Sequence, residues 1–346
     1  MESGKPKVVI TGVSGWIGSW VAKYFLESGK YNVRGTVRDP SKSEKINPLL
    51  EGIGSSSSDL ELVAADLLDA ESIDKACEGM DYVIHVASPL LVEDPKDEEE
   101  VLGPAIKGTE NVMKACSKHG IKRVVITSSW LCIIDWSKPG EDCDETQWTP
   151  ITNDTPLYDK SKILAEKKAW EMAKESNIEL VVICPGLVVG PALYKSSFAS
   201  AMLIGGLIIG KIPKWPQVYF PIVNVEDVAE AHVLALTAPA GERYALTENT
   251  YKMIEVAKCL SAEFKQKNYK VTDSELPTCM AKFLACCCCV SMIKKFLKIW
   301  NRRCHVKNDK SLSTLGLKGY KPMKDSVISM GNSLIEHGMI PDKTKK

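Results

Sequence analysis

Two side chains of the sequence, Tyr158 and Lys162, have the types and the spacing that proton transfer to a carbonyl oxygen requires. They stand four residues apart at the start of a segment with helical periodicity, so both lie on one face of the expected helix. A tyrosine hydroxyl has an unperturbed pKa near ~10, and a lysine charge one turn away lowers it by stabilising the tyrosinate. We therefore expect Tyr158 to donate a proton and Lys162 to tune it.

Ser129 is the last of three hydroxyl residues that end a predicted strand over 123–127. In open parallel sheets, ligands bind outside the carboxyl ends of the strands, and a serine hydroxyl there polarises a substrate oxygen. Serine and threonine are also ordinary turn residues at strand ends. Because Ser129, Tyr158 and Lys162 follow a glycine turn in this order, we predict a carbonyl-reducing site.

The glycine turn occupies the first stretch of the chain. An apolar strand over Val8–Thr11 is followed by Gly12, Gly15 and Gly18, and then by a helical pattern that ends at Gly29. Glycines in this context permit a tight turn, close approach to a pyrophosphate and close packing of helix and strand. The helix N-terminus offers N–H groups to the phosphates. This pattern predicts a dinucleotide site.

Further strands are predicted over 32–37, 60–64, 81–86 and 180–184. They alternate with helices, which predicts an α/β fold with a doubly wound parallel sheet (Rossmann) and a smaller C-terminal substrate-binding region. We expect a mainly dinucleotide-binding domain over 1–190 and a mainly substrate-binding region over 191–340, interleaved with the last sheet strands. Residues 341–346 are expected to form a disordered tail. His85 lies within a predicted strand and is expected to be a packed core residue.

Arg38 follows the second strand, where an acidic residue would bind a ribose 2′-hydroxyl and an arginine accommodates a 2′-phosphate. We therefore expect NADP(H) to be preferred. Asp39 is a competing acid, so NAD(H) is also possible. Asp66, after the third strand, is expected either to contact adenine or to cap the next helix.

The composition limits the function classes. The 346 residues carry 44 basic and 44 acidic side chains, a balance that argues against a nucleic-acid binder. The N-terminus lacks a signal-peptide pattern, and no apolar run is long enough to span a membrane. None of the 12 cysteines has the spacing of a disulfide framework, which suits a reducing compartment. A cytoplasmic enzyme without a metal is expected.

Four consecutive cysteines, Cys286–Cys289, lie in an apolar segment over 280–300 that continues into a basic flank. The simplest interpretation is one helix packed over the substrate site, with the cysteines as small hydrophobic residues. Consecutive helical residues point around the axis, so a metal site is not expected. The alternative is weak, reversible membrane contact through acylated cysteines beside the basic flank.

The sequence resembles the extended short-chain dehydrogenase/reductases of the NAD-dependent epimerase/dehydratase superfamily. The likeness is greatest to the dihydroflavonol reductase and cinnamoyl-CoA reductase group. It is carried by these motifs: TGVSGWIGSW, GTVRDP, ADL, HVASP, RVVITSS, YDKSK, CPGLVVGP and VEDVAEAH.

This resemblance implies roles for individual residues. Ser129 would polarise the carbonyl, Tyr158 would donate the proton, and Lys162 would hold the nicotinamide ribose. Arg38 and Lys45 would contact the 2′-phosphate. The remaining implied cofactor contacts are Gly12, Gly15, Trp16, Ile17, Gly18, Asp66, Leu67, Val86, Ala87, Ser88, Thr127, Pro185 and Val188.

The expected function is NADPH-dependent reduction of a small aldehyde or ketone. Trp130 follows Ser129 where the family usually has a small residue, which leaves the pocket shape open. The alternatives are a hydroxysteroid dehydrogenase or a nucleotide-sugar epimerase on the same fold, and a dinucleotide-binding redox sensor that needs no tyrosine–lysine pair. The oligomeric state is not predicted.

Overall fold

The computed structural model describes residues 4–88, 97–211, 213–287 and 291–343. Within them the strands are β1 (Lys7–Thr11), β2 (Asn32–Val37), β3 (Leu60–Ala64), β4 (Tyr82–His85), β5 (Arg123–Thr127), β6 (Asp142–Cys143), β7 (Glu179–Pro185), β8 (Leu187–Val189), β9 (Tyr219–Asn224), β10 (Glu242–Leu246), β11 (Asn249–Lys252) and β12 (His305–Val306). The α-helices are α1 (Trp16–Ser28), α2 (Ser43–Ile53), α3 (Ala70–Cys77), α4 (Glu99–Lys118), α5 (Leu157–Ser176), α6 (Ala199–Ile208), α7 (Val225–Ala235), α8 (Met253–Phe264), α9 (Thr278–Cys287), α10 (Ser291–Leu297), α11 (Asp309–Ser313) and α12 (Met323–Glu336).

Seven strands form one parallel sheet in the order β10-β7-β5-β4-β1-β2-β3. The chain moves outward from β1 to β3 and then returns to β4 on the other side of β1. Ligands bind at such a switch point, outside the carboxyl ends of the strands. The predicted doubly wound fold is confirmed.

Both faces of this sheet are buried, which explains the continuous apolar runs in its strands. Val9, Val83 and Val124 belong to a core cluster that includes residues of α3, α4 and α5. Their neighbours Ile10 and Ile84 belong to a second cluster with α1, α7, α8 and α12. Alternation of side chains along a strand produces this division into two layers.

After β7 the chain contributes β10 to the main sheet and also forms a smaller sheet of β8, β9 and β11. The sequence predicted no strand directly after the one over 180–184, but β8 lies there and pairs in parallel with β9. Its three residues were too few for a strand signal, and the pairing partner lies far away in sequence.

Two other expectations need correction. The single helix expected over 280–300 is two helices, α9 and α10, with 288–290 outside the described residues. In the expected tail, the Pro341 carbonyl accepts a hydrogen bond from the Tyr269 hydroxyl at 2.8 Å, and the Lys343 N–H donates to that hydroxyl at 3.1 Å. Pro341 and Lys343 are therefore held by hydrogen bonds to Tyr269, although Pro341 is exposed; residues 344–346 are outside the described residues.

Candidate active site

A cleft of about 940 Å³ lies at the carboxyl ends of the central strands. It brings together the glycine turn, the ends of β2 to β5, the start of α5 and the segment over 197–200. The cleft is large enough for a dinucleotide and a small substrate together.

The glycine turn fits a dinucleotide because two of its residues leave no room for a side chain. Gly12 has a φ of +71°, and a Cβ there would lie 2.8 Å from the Cβ of Ala87. A Cβ on Gly18 would lie 2.2 Å from the Gly12 carbonyl oxygen. Gly15 is the N-cap of α1 and provides no side-chain hydrogen bond, so the helix N-terminus meets the cleft as bare backbone.

Arg38 lines the cleft after β2, whereas Lys45 lies outside it on α2. The Asp39 carboxylate turns back to accept hydrogen bonds from the Ser41 N–H at 3.0 Å and the Ser41 hydroxyl at 2.6 Å. These bonds hold the pKa of Asp39 below its usual value. Asp39 is not among the lining residues, so the cationic side chain is the one presented to the cleft.

Asp66 also lines the cleft, but it does not cap the next helix. The cap of α3 is Asp69, whose carboxylate accepts from the N–H groups of Glu71 and Ser72. The Asp66 carboxylate instead accepts from the Leu68 N–H at 2.9 Å. This turn holds the Asp66 backbone at the cleft wall.

Thr11 and His85 support the end of β4 beneath the cleft. The Thr11 hydroxyl accepts from the N–H groups of Val86 and Ala87, at 3.1 Å each, and lies 2.9 Å from His85 Nδ1. Burial, with the nearby Lys162 charge, lowers the pKa of His85 to about 4. His85 is a neutral, hydrogen-bonded core residue, as the sequence predicted.

The three proposed catalytic side chains, Ser129, Tyr158 and Lys162, line the same cleft. Ser129 follows β5, and its hydroxyl accepts from the Leu131 N–H at 3.2 Å. Tyr158 is the second residue of α5, and its side chain is 41% exposed. Lys162 lies one turn further on, with its Nζ 6.0 Å from the centre of the Tyr158 ring.

The pKa of Tyr158 is raised to about 12, mainly by burial and further by the charges of Asp159 and Cys132. The pKa of Tyr158 therefore shifts in the direction opposite to the lowering expected from Lys162, and burial is the largest cause. Burial lowers the pKa of Lys162 itself and raises that of Asp159 to about 7. At neutral pH Tyr158 is a protonated phenol, the form that a proton donor needs.

Behind these side chains lies a buried ion pair that sequence reasoning missed. Glu166, one turn after Lys162 on α5, places Oε1 2.7 Å from Arg243 Nε on β10. Its Oε2 accepts a hydrogen bond from the Ser128 hydroxyl. Arg243 also donates to the carbonyl oxygens of Cys132, Glu145 and Gln147. The i,i+4 spacing placed Glu166 on the inner face of α5, but no local pattern connects it to Arg243.

The cleft also has an apolar wall, in which Phe198 was not expected from the sequence. Phe198 stacks on Trp16 with ring centres 4.1 Å apart. Trp130 lines the cleft and meets Trp136 and Phe220 edge to face, at 5.9 and 6.0 Å. The Trp130 side chain therefore has a fixed place beside Ser129.

Of the site residues expected from the sequence, Lys45 is the exception that does not line the cleft. The others do: Gly12, Gly15, Trp16, Ile17, Gly18, Arg38, Asp66, Leu67, Val86, Ala87, Ser88, Thr127, Ser129, Tyr158, Lys162, Pro185 and Val188. Their individual roles remain predictions.

Known proteins resemble this chain along almost its whole length. Tetraketide alpha-pyrone reductase 1 of Arabidopsis thaliana is 35% identical over 351 residues, covering 98% of this chain and 98% of that protein. Cinnamoyl-CoA reductase 1 of Petunia hybrida is 34% identical over 347 residues, covering 98% and 95%. The crystal structure of yeast methylglyoxal/isovaleraldehyde reductase Gre2 with NADPH has the same fold, with a TM-score of 0.78 at 23% identity, covering 96% of this chain and 100% of Gre2.

The resemblance inferred from the motifs is confirmed, and so is the expected enzyme class, because these relatives are reductases. The family model described as NAD dependent epimerase/dehydratase matches residues 8–246, which include the seven-stranded sheet apart from Lys7 and every residue of the cleft. This match also confirms the expected nicotinamide dinucleotide cofactor. The chain therefore belongs to the NAD-dependent epimerase/dehydratase family.

Proposed function

We propose that this protein reduces the carbonyl group of a small aldehyde or ketone to an alcohol with NADPH. The observation that carries the proposal is one cleft that holds a serine, a tyrosine and a lysine beside a glycine turn. Each residue type has a distinct use in carbonyl reduction, and a protein that only sensed a dinucleotide would have no need of the tyrosine–lysine pair.

The residues along the glycine turn and after β2 suit the cofactor. The bare backbone at the start of α1 would bind the pyrophosphate, and the Arg38 guanidinium would bind the 2′-phosphate through paired hydrogen bonds. Lys162 would hold the nicotinamide ribose. When bound, the cofactor supplies the hydride.

The protein supplies the proton and the polarising groups. The Ser129 hydroxyl donates a hydrogen bond to the carbonyl oxygen and draws negative charge onto it. The Tyr158 hydroxyl gives its proton to that oxygen as the carbon is reduced. Lys162 offers positive charge close to the tyrosinate that is left. The raised pKa of Tyr158 supports this direction of transfer, since the phenol is protonated throughout the neutral range.

The wall of the cleft favours a substrate with an apolar group beside its carbonyl. Trp130, Leu131, Leu187 and Phe198 line this part of the cleft. Burying an apolar substrate group against them gains about 25 cal/mol per Å². The relatives named above are named as reductases of a tetraketide alpha-pyrone and of cinnamoyl-CoA, which supports a reductase without fixing the individual substrate.

A substrate panel tests the proposal. NADPH absorbance is followed with aromatic aldehydes, aliphatic aldehydes, cyclic ketones, sterols and UDP-sugars, and Tyr158→Phe serves as the matched control. We expect carbonyl-dependent loss of NADPH with the wild type and far less with the variant. Turnover of UDP-sugars alone, or equal rates for the two proteins on every carbonyl, would overturn the proposal.

A further inference from the structure

Two cysteines outside the cleft face each other across the smallest sheet. In this sheet β6 and β12 run parallel, with Val306 opposite Cys143. Cys304 directly precedes β12, two residues before the partner of Cys143, so the two thiols lie on the same face of the pair. Their Sγ atoms are 2.6 Å apart, although the residues are separated by 161 positions in the chain.

The backbone on each side of this thiol pair is fixed by hydrogen bonds. The Cys143 carbonyl accepts from the Lys307 N–H at 2.8 Å. The Cys304 carbonyl accepts from the Thr250 hydroxyl at 3.2 Å. Both cysteines are buried, at 3% exposure each. The fold therefore holds the two sulfur atoms together.

The pKa of Cys143 is shifted in the opposite direction to the pKa of the buried thiols Cys116 and Cys132. The hydrogen bond from Cys304 lowers the pKa of Cys143 to about 7, whereas the pKa of Cys304 is raised. Burial raises the pKa of Cys116 and Cys132. Since the thiolate is the nucleophile, Cys143 is the reactive member of the pair.

We propose that Cys143 and Cys304 form a disulfide when the protein meets a peroxide. The Cys143 thiolate attacks a peroxide oxygen, so an S–O bond forms, the O–O bond breaks and hydroxide leaves. The Cys304 sulfur then attacks the resulting sulfenic acid, so the S–S bond forms and the S–O bond breaks. Two thiols and one hydrogen peroxide give one disulfide and two waters. The exposed neighbours Glu141 and Asp142 place the pair near the surface, within reach of this small oxidant.

The bond would join two segments that matter to the cleft. Cys143 lies in the connection from Ser129 to Tyr158, and Cys304 lies in the segment that follows α10. A cross-link between positions so far apart in the chain restricts the unfolded state, so the oxidised protein should unfold at a higher temperature. It should also hold the connection before α5 in place.

The test is peptide mapping by mass spectrometry after treatment of the reduced protein with hydrogen peroxide. We expect a peptide that joins Cys143 to Cys304, with the loss of two hydrogen atoms. Dithiothreitol should reverse the cross-link and the rise in unfolding temperature. In Cys304→Ser, a dimedone adduct should mark a sulfenic acid on Cys143.

Cys279→Ser is the matched control, because Cys279 is an exposed thiol away from the pair. It should retain the cross-link and the shift in unfolding temperature. If Cys143 and Cys304 stay alkylatable while Cys279 and Cys286 oxidise, the proposal is overturned. A cross-link that joins Cys143 to another cysteine overturns it as well.

Discussion

Tyr158 carries the proton transfer in the proposed reaction, and its substitution tests that role most directly. Tyr158→Phe removes one oxygen atom from a side chain that is 41% exposed, so folding and cofactor binding should survive. General acid catalysis typically contributes a factor of ~10²–10⁴, and kcat should fall by about that factor.

The measurement compares kcat on any carbonyl that the wild type reduces, with cofactor fluorescence titration as the check on binding. Tyr251→Phe serves as a control tyrosine on β11, outside the cleft, and should retain activity. If kcat of Tyr158→Phe stays within a few-fold of the wild-type value, Tyr158 has only a structural role at the start of α5.

Arg38 is expected to decide the choice of cofactor. It lines the cleft after β2, while Asp39 is tied to Ser41 and the Lys42 Nζ lies 3.5 Å from the Asp39 carboxylate. Because a guanidinium matches phosphate oxygens, Arg38→Ala should lower kcat/KM with NADPH and leave kcat/KM with NADH much less affected.

Steady-state kinetics with both cofactors measures the ratio, and Lys45→Ala is the matched control outside the cleft. We expect Lys45→Ala to keep the wild-type preference. A wild type that favours NADH, or a ratio that Arg38→Ala leaves unchanged, would contradict the assignment.

At the scale of elements, the ion pair between Glu166 and Arg243 joins α5 to the edge strand β10. The side chains are 1% and 7% exposed, so the charges have little water around them. Removing one partner of such a pair costs about 3–5 kcal/mol, since the other charge is left buried. Glu166→Gln should therefore lower the free energy of unfolding by an amount of this order.

Urea denaturation measures the change. Glu171→Gln is the control on the same helix, because Glu171 pairs with Lys168 on the surface, where ion pairs contribute about 0–1 kcal/mol. Similar losses in the two variants would show that the buried pair has no special place in the fold.

His232 joins α7 to β5, with Nε2 2.7 Å from the Thr127 hydroxyl and Nδ1 2.7 Å from the Val228 carbonyl oxygen. Burial lowers its pKa from 6.5 to about 4. Between these pH values the unfolded chain binds a proton that the folded protein does not. The contribution of His232 to stability is therefore complete above pH ~6.5 and is lost as pH falls towards ~4.

His232→Asn removes this titration. The urea midpoint of the wild type should fall more steeply between pH ~7 and ~4.5 than that of the variant, whatever their absolute stabilities. His85 contributes the same acid dependence to both proteins and cancels in the comparison. If the urea midpoints of the two proteins fall in parallel with pH, the acid dependence does not come from His232.

At the scale of the whole molecule, the two expected regions share one hydrophobic core. The cluster that contains Ile10 of β1 also contains Leu246 of β10 and Leu334 of α12. The Ala192 N–H donates to the Ser333 hydroxyl at 2.9 Å. The C-terminal helix α12 therefore packs into the same core as β1 and β10.

The surface of α9 bears on the predicted membrane contact. Phe283 is 61% exposed and Met280 43%, and Cys279 and Cys286 are exposed beside them. Cys288 and Cys289 lie outside the described residues. No helix in the described part of the chain is long and apolar enough to cross a membrane. Surface contact through acyl chains stays a prediction.

Cell fractionation tests it by comparing the wild type with a variant in which Cys286–Cys289 are replaced by serine. If the cysteines are acylated, the wild type should sediment with membranes and the variant should not. Only part of the wild type should sediment, because a single acyl chain binds a membrane only marginally. A wild type that is wholly in the soluble fraction, without thioester acylation, would remove the hypothesis.

The sequence by itself determined the sheet, the cofactor end of the cleft and the order of the proposed catalytic residues. The predicted bounds of β2, β3 and β5 agree with the structure to the residue, because short runs rich in β-branched and aliphatic residues between turns are a local strand signal. The glycine turn could be recognised in the sequence because Gly12 and Gly18 are positions where a side chain would collide with neighbouring atoms. Each of these signals lies within a few neighbouring residues.

Only the tertiary structure decided the features that depend on distant residues. The strand β8 forms because β9 provides its hydrogen bonds, and Arg243 finds Glu166 77 residues away in the chain. The pKa of Tyr158 rises mainly because of burial in the folded chain, whereas the local spacing to Lys162 had suggested a lowering. Burial and long-range pairing are properties of the packed chain, so local spacing could not reveal them.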